Sequence, residues 1–380
     1  LRKPALAITG AALVALALTA CSSGSASTGA GSSVSAADCP QFDSSKAHYT
    51  TPPTTPNPAA KQKNIAIVAV GMSSPTVAVG AAGVEAAITD IGWQYTLYDA
   101  KLDPSAFSTL VRQAITNKAD GIIGVGLDAP LVKAAIEEAT AAGIPSISVQ
   151  GWDLDQDPDT STETPVFSTR ISFGDRFPDF ADVVRASAAD AADYLTSKAG
   201  CSGTILDFSN NEYTTLKLIN QGFTGEMSTN CPNCKVVDVP WTASQFGPEL
   251  TGIAKAAILK NPDVKAIQAG TNPQLGITQA IVQSGYQDKV STLGGFGLAA
   301  DFAVSTQDQG LNATTSWPVE WWSYAAVDTL NSYFNKTEPV DEGLGWKIVD
   351  KASGFPDGDS DFKPPFDVPA AYKLSWGVSN

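Results

Sequence analysis

The chain has 380 residues, a hydrophobic fraction of 43% and a formal net charge of −15. A surface that acidic repels nucleic acid and anionic lipid headgroups, so neither is expected as a partner. A single histidine, His48 in a polar, Pro-rich stretch, excludes a Ser-His-Asp triad, a Cys-His pair and a His-rich zinc site, leaving carboxylate, lysine or cysteine chemistry.

Arg2 and Lys3 precede an apolar run from Pro4 to Leu18, which ends in Leu18-Thr19-Ala20-Cys21. A basic start, an apolar middle and small residues before a cut site make residues 1–20 an export signal. A cysteine directly after the cut makes it a lipoprotein signal. Cys21 is expected to become the first mature residue, carry lipid on its sulfur and hold the protein on the outer face of the bacterial cell membrane. The competing reading is an uncleaved membrane helix, but the run is at the short end of the ~17–25 residues a span needs. No second long apolar run follows, so the lipid is the only membrane attachment expected. Residues 21–63 are dominated by Ser, Thr, Gly, Ala and Pro and read as a flexible tether, stiffened at its far end by Pro52, Pro53, Pro56 and Pro58.

From Asn64 the texture alternates between strand and helix. Residues 65–70 form a continuous apolar run, the mark of a parallel strand buried on both faces. Ser74-Pro75 reads as an N-cap with Pro at the first helical position, opening a helix to about residue 91. A strand over 93–98, a helix from Asp103-Pro104 to about 118, a strand over 120–125 and a helix over 128–142 closed by Gly143 follow. Residues 145–149 make the next strand and 167–171 a further one. The rhythm then repeats, with a helix over 179–198 and strands over 204–208, 235–239, 264–268 and 290–296. Residues 354–365 read as a loop and 372–378 as a final strand. Strands alternating with helices give parallel sheets with helices on both faces, and two such series imply two α/β lobes.

Four cysteines remain beyond Cys21: Cys39, Cys201, Cys231 and Cys234. Outside the cell an even number points to two disulfides, with three connectivities open. Cys201 and Cys231 or Cys234 each precede a strand, so a bridge there would staple two strand starts. Cys231-Pro232-Asn233-Cys234 also has the spacing of a redox or zinc half-site, but no second such pair completes a metal cage. Asp153, Asp155, Asp157 and Asp159 alternate beside Pro158 and read as a solvated loop, so no metal is expected.

Several short motifs in a fixed order carry a family resemblance: Gly71-Met72-Ser73-Ser74-Pro75-Thr76 after the first strand, then Asp103-Pro104, Ala119-Asp120-Gly121-Ile122-Ile123 and Ala141-Ala142-Gly143-Ile144-Pro145. Gln221-Gly222-Phe223, Asn261-Pro262-Asp263-Val264 and Gly294-Gly295-Phe296 follow in the second series. Residues 64–340 thereby resemble type I periplasmic binding proteins of the ribose-binding-protein-like group. The resemblance implies two doubly wound parallel-sheet lobes joined by a three-stranded hinge. The first lobe would take 64–170 plus 317–340, and the second 171–316 plus 341–380. Ligand would lie in the cleft at the carboxyl ends of the strands.

Mapped onto this chain, the resemblance nominates Ser74 and Thr76 on the first loop, Gln150 and Trp152 where the family has an Asp-Arg pair, and Asn211 and Tyr213 after the strand ending at Phe208. Lys217 stands where the family has an arginine, Trp241 at an aromatic position, and Asn272 within Gly270-Thr271-Asn272. Phe296 belongs to the hinge segment, where Gly297 replaces the usual aspartate. Ser316 stands where glutamine is common, followed by Trp317. Trp321 and Trp322 diverge by about 100°, so at most one faces the cleft. The charged anchors of a free-sugar site are largely missing, while aromatics and amides occupy the same places. The expectation is a monomeric, lipid-anchored, non-enzymatic protein without cofactor. It would capture a sugar, polyol, glycoside or other ring-bearing solute for an ABC permease. The alternatives are a ligand-sensing lipoprotein serving a signalling partner and a thiol oxidoreductase using Cys231 and Cys234.

Overall fold

The structure is a computed structural model that describes residues 39–356 and 360–378; the export signal, Cys21 and residues 22–38 lie outside the described residues. The first lobe contains β1 (Asn64–Ala69), α1 (Pro75–Asp90), β2 (Gln94–Asp99), α2 (Pro104–Thr116), β3 (Gly121–Val125), α3 (Ala129–Ala141) and β4 (Ser146–Val149). The second contains α4 (Phe180–Ala199), β5 (Gly203–Asp207), α5 (Thr214–Asn230), β6 (Cys234–Asp238), α6 (Pro248–Lys260), β7 (Val264–Gln268), α7 (Ile277–Gln283), β8 (Ser291–Leu293), α8 (Ala299–Thr306) and β9 (Ala313–Ser316). The chain then returns through α9 (Val319–Asn335) to the first lobe, adds β10 (Lys347–Asp350) to the second, and ends in α10 (Val368–Trp376).

The first sheet has the order β2-β1-β3-β4 and is parallel throughout. Alternation along β1 explains its two covers. Ile65, Ile67 and Ala69 face α1 and α9, whereas Ala66 and Val68 face α2 and α3. The second sheet has the order β10-β9-β8-β7-β5-β6, parallel except for the antiparallel edge pair of β10 with β9. Its faces are covered by α4 with α5 and by α6 with α7. Helix ends follow local rules. Asp103 caps α2 by accepting from Ser105 N at 2.9 Å, and α4 closes on Gly200 in the left-handed conformation.

Three expectations from the sequence fail. Residues 167–171 form no strand; Ser168 and Thr169 merely donate to Ser146 O. The final strand is the helix α10, because Asp367 caps it by accepting from Ala370 N at 3.0 Å, Pro369 suits its first turn, and Val368, Tyr372 and Trp376 share one buried face. That face packs with α1 and α9, so 341–380 divides: β10 joins the second lobe and α10 the first.

The third failure is the tether, since residues 39–63 are packed onto the body. Cys39 is bridged to Cys201 and Cys231 to Cys234, so the bridge between two strand starts does not form. Phe42 lies edge-on to Tyr194, and Ser44 Oγ donates to Asp350 Oδ1 at 2.8 Å. The His48 ring stacks on Trp346 with centroids 4.5 Å apart, and its Nε2 lies 2.8 Å from Asp190. Asn57 Nδ2 then donates to Asp328 Oδ1 at 2.9 Å, and Ala60 O accepts from the Trp93 indole. The segment therefore runs from second lobe to first. Its low apolar content concealed it because hydrogen bonds and ring contacts, rather than buried aliphatic residues, hold it.

The hinge passage after α9 buries Glu342 completely. Its Oε2 accepts from Tyr372, whose oxygen accepts from Trp321 Nε1 at 3.1 Å. Burial and the neighbouring Asp328 carboxyl push the Glu342 pKa well above its ordinary value of 4.5. The folded state thus keeps a proton that the unfolded chain releases. This group's contribution to stability is full below about pH 4.3 and is lost as pH rises towards the folded value. Glu342→Gln keeps an acceptor for Tyr372 and is expected to flatten the fall in stability between pH 5 and 8, read from urea melts across that range. Replacing Cys39 and Cys201 together by serine removes a bridge spanning 162 residues and is expected to cost ~2–5 kcal/mol in the same assay.

Candidate functional site

A cavity of about 300 Å³ lies where the carboxyl ends of both sheets meet. The reason is topological: parallel strands with crossover helices deliver all their outgoing loops to one edge. Val70, Gly126 and Gln150 directly follow β1, β3 and β4, and Trp317 directly follows β9. Trp241, Thr271 and Phe296 lie just beyond β6, β7 and β8. The first turns of α1, α4, α5 and α9 add Thr76, Phe180, Thr215 and Trp322.

Aromatic rings build the floor. Phe180 stacks on Trp152 with centroids 4.6 Å apart and lies 4.4 Å from Trp322 and 6.2 Å, edge-on, from Trp317. Each such pair contributes ~0.5–1.5 kcal/mol beyond its buried area. Trp152 Nε1 donates to Thr215 Oγ1 at 2.9 Å, a bond from the first lobe to the second. Trp241 Nε1 donates to Phe208 O at 3.3 Å, which turns its ring to the wall.

Among these apolar surfaces stand polar atoms without partners. Thr76 Oγ1, both amide atoms of Gln150 and Trp322 Nε1 are buried and make no hydrogen bond within the protein. Leaving such a group unpaired costs ~1–3 kcal/mol. Gln150 also has a φ of 59° and Asn272 a φ of 51°, a left-handed conformation rare outside glycine and concentrated at functional sites. The Gln150 amide lies against Gly80 of α1, where an added Cβ would come within 2.6 Å of Nε2.

Among the described residues Asp128 is the one charged side chain on the wall. It occupies the N-cap position of α3 but makes no capping bond. Instead its Oδ1 accepts from Trp152 N at 3.1 Å. Burial pushes its pKa up to about 7, and the nearby Asp157 carboxylate adds to the shift.

Of the residues nominated from sequence, Ser74, Thr76, Gln150, Trp152, Tyr213, Trp241, Asn272, Phe296 and Trp317 line the cavity. Three do not. Asn211 is exposed on its loop. The Lys217 ammonium is held by Asp157, at 3.5 Å, and by Asp159. Ser316 is buried behind the wall, its hydroxyl paired with Thr314 at 2.5 Å. Trp322 is the tryptophan of its pair that reaches the cleft; Trp321 packs instead against Phe366 and Tyr372. Asp128, Phe180 and Thr215 were not anticipated, because each reads locally as a helix-start residue. The acidic segment is not a solvated loop either. Asp153 is buried and accepts from Leu154, Val166 and Phe167 N, and Asp157 reaches across to Thr214. Among the described residues no cluster is arranged to hold a metal ion.

The family profile described as periplasmic binding protein domain matches residues 65–338. Similar solved structures include an ABC sugar transporter subunit from Rhodobacter sphaeroides, 18% identical, covering 76% of this chain and 98% of that one with a TM-score of 0.63. A solute-binding protein from Agrobacterium vitis with bound allitol is 18% identical, covers 77% and 96%, and scores 0.63. One from Actinobacillus succinogenes with bound D-allose is 18% identical, covers 77% and 98%, and scores 0.64. A search of curated protein sequences gives no match.

Gly80→Ala separates the role of the Gln150 amide from stability. Alanine favours an α-helix by up to ~1 kcal/mol over glycine, so the thermal midpoint is expected to hold or rise. The displaced amide is expected to weaken binding of any cleft solute about tenfold, measured by titration calorimetry.

Proposed function

The chain belongs to the periplasmic binding protein family, and from that premise we propose that it captures a small solute between its lobes for ABC-type import. Lipid on Cys21 would hold it outside the cell membrane. The observation that carries this reading is convergence: the unpartnered polar groups of Thr76, Gln150 and Trp322 and aromatic rings from both lobes line one cavity at the strand ends. A solute seated there meets Thr76, Gln150 and Asp128 from one lobe and Thr271 and Asn272 from the other. Those contacts exist together only when the lobes are close, so a bound solute favours the closed form by its differential affinity. The closed form is then the species a permease can select. No bond is made or broken, and the conformational equilibrium is the output.

The solutes bound in similar structures, allitol and D-allose, support a hydroxylated ring or polyol as a starting class. The aromatic floor supports glycosides and other ring-bearing solutes equally, since ring faces stack on tryptophan.

A thermal-shift screen with sugars, polyols, glycosides and small ring-bearing metabolites tests the proposal. A true ligand at a hundredfold excess over its Kd adds ~2.7 kcal/mol of stability by mass action. The same ligand is expected to change tryptophan emission, because Trp152, Trp241, Trp317 and Trp322 line the cavity. A flat melt and unchanged emission across the whole panel would remove solute capture as the function.

A further inference from the structure

Resting on the solute-capture reading above, we propose that the captured solute is an organic cation with an apolar ring-bearing body, its ammonium seated against Asp128. The charge pattern at the cleft supports the sign. Asp128 is the single charged side chain on the wall among the described residues. Its Oδ1 is occupied by Trp152 N, and among the described residues no donor reaches Oδ2. The nearest cation, Lys217, is already held by Asp157 and Asp159. Behind the wall, the carboxylates of Asp157 and Asp159 thus already occupy that ammonium, and Asp128 faces the cavity without a cationic partner. Such a site repels anions and draws cations, and a buried carboxylate facing apolar walls is stabilised most by a partner of opposite charge.

The rings supply the second half of the recognition. Trp152, Phe180 and Trp322 form a contiguous aromatic surface near that carboxyl. A cation over an aromatic face gains ~0.5–1 kcal/mol in water and ~2 or more when desolvated, and cages of this composition suit organic ammonium groups. The polar inventory argues against a free sugar. A hexose brings hydroxyls over its whole perimeter, each needing a partner once buried. The fully buried unpartnered groups on the wall gather at Thr76, Gln150 and Trp322, while aliphatic side chains such as Val77, Leu216 and Ile219 line other stretches of the cavity. An apolar body with one cationic end and one or two polar groups leaves fewer atoms unsatisfied.

The test compares solutes that share a ring and differ in charge: 2-phenylethylammonium, 2-phenylethanol and phenylacetate, with glucose alongside. Binding to the mature protein is measured by titration calorimetry and tryptophan emission, for wild type and for Asp128→Asn. The ammonium is expected to bind at least tenfold more tightly than the alcohol, with phenylacetate weakest. Asp128→Asn is expected to erase that preference, bringing the ammonium's affinity down to that of the alcohol. The wild-type comparison stands by itself if the variant folds poorly. An alcohol or glucose that binds as tightly as the ammonium overturns the cation assignment and leaves solute capture intact. An ammonium preference that survives in folded Asp128→Asn overturns the seating at Asp128. Absence of binding by all four, together with a silent thermal-shift panel, overturns both the assignment and the capture reading beneath it.

Discussion

Phe180 is the ring on which the cleft depends. It opens α4 of the second lobe, yet its neighbours are Trp152 from the first lobe and Trp317 and Trp322 from the passage between them. One side chain thus touches both lobes and the hinge, at the base of the cavity. The bond from Trp152 Nε1 to Thr215 Oγ1 adds a directional tie across the same gap. Stacked rings tolerate sliding far better than hydrogen bonds do. A floor of rings with one such bond therefore suits a contact between lobes that change their angle.

The hinge around this floor carries more chain than a three-stranded crossing requires. Residues 39–63 descend from the Cys39–Cys201 bridge on the second lobe to α9 and Trp93 on the first. At the other end of the chain β10 lies on the second lobe and α10 on the first. The N-terminal segment is held where it meets the hinge. Arg176 donates to Asp341, to Leu344 O and to His48 O, and Thr50 N donates to Gly343 O. A disulfide closing a loop this long restricts the unfolded chain strongly, so the N-terminal strap is a stabilising device as well as a connector.

Much of the fold was legible because its signals are local. The Ile65–Val70 run, Ser74-Pro75, Asp103-Pro104 and Gly143 each specify one element or one boundary through burial or backbone conformation. The misreadings share a cause: structure decided by partners distant in sequence. Tyr372 and Trp376 are buried by α1 and α9, so the tail follows a helical period that a weak alternation concealed. His48 and Asn57 look like tether residues until Trp346 and Asp328 are placed beside them. Strands β9 and β10 are short, and three of the four residues of β9 carry hydroxyls, so neither rises above its surroundings. At the site, positions just beyond strands were readable because topology alone delivers them to the cleft. Lys217 was misplaced because nothing local shows that Asp157 and Asp159 fold over it. Asp128 carries no functional signal in the sequence, because the start of a helix already accounts for an aspartate.

That last case shows how the cleft differs energetically from the rest of the molecule. Elsewhere, polar residues at helix starts satisfy their own helix, as Asp103, Asp179 and Asp367 do. Asp128 stands at the same kind of position without capping, and Gln150 holds a left-handed backbone with its amide unpaired. Such a backbone costs ~1–3 kcal/mol and each orphaned group about as much. Total stabilities are only ~5–15 kcal/mol, so these losses persist only where packing elsewhere offsets them. The buried faces of α1, α9 and α10 and the disulfide-anchored strap provide that offset away from the cleft. The cleft therefore holds polar groups whose missing partners a bound solute would restore, and that deficit is what makes binding favourable there.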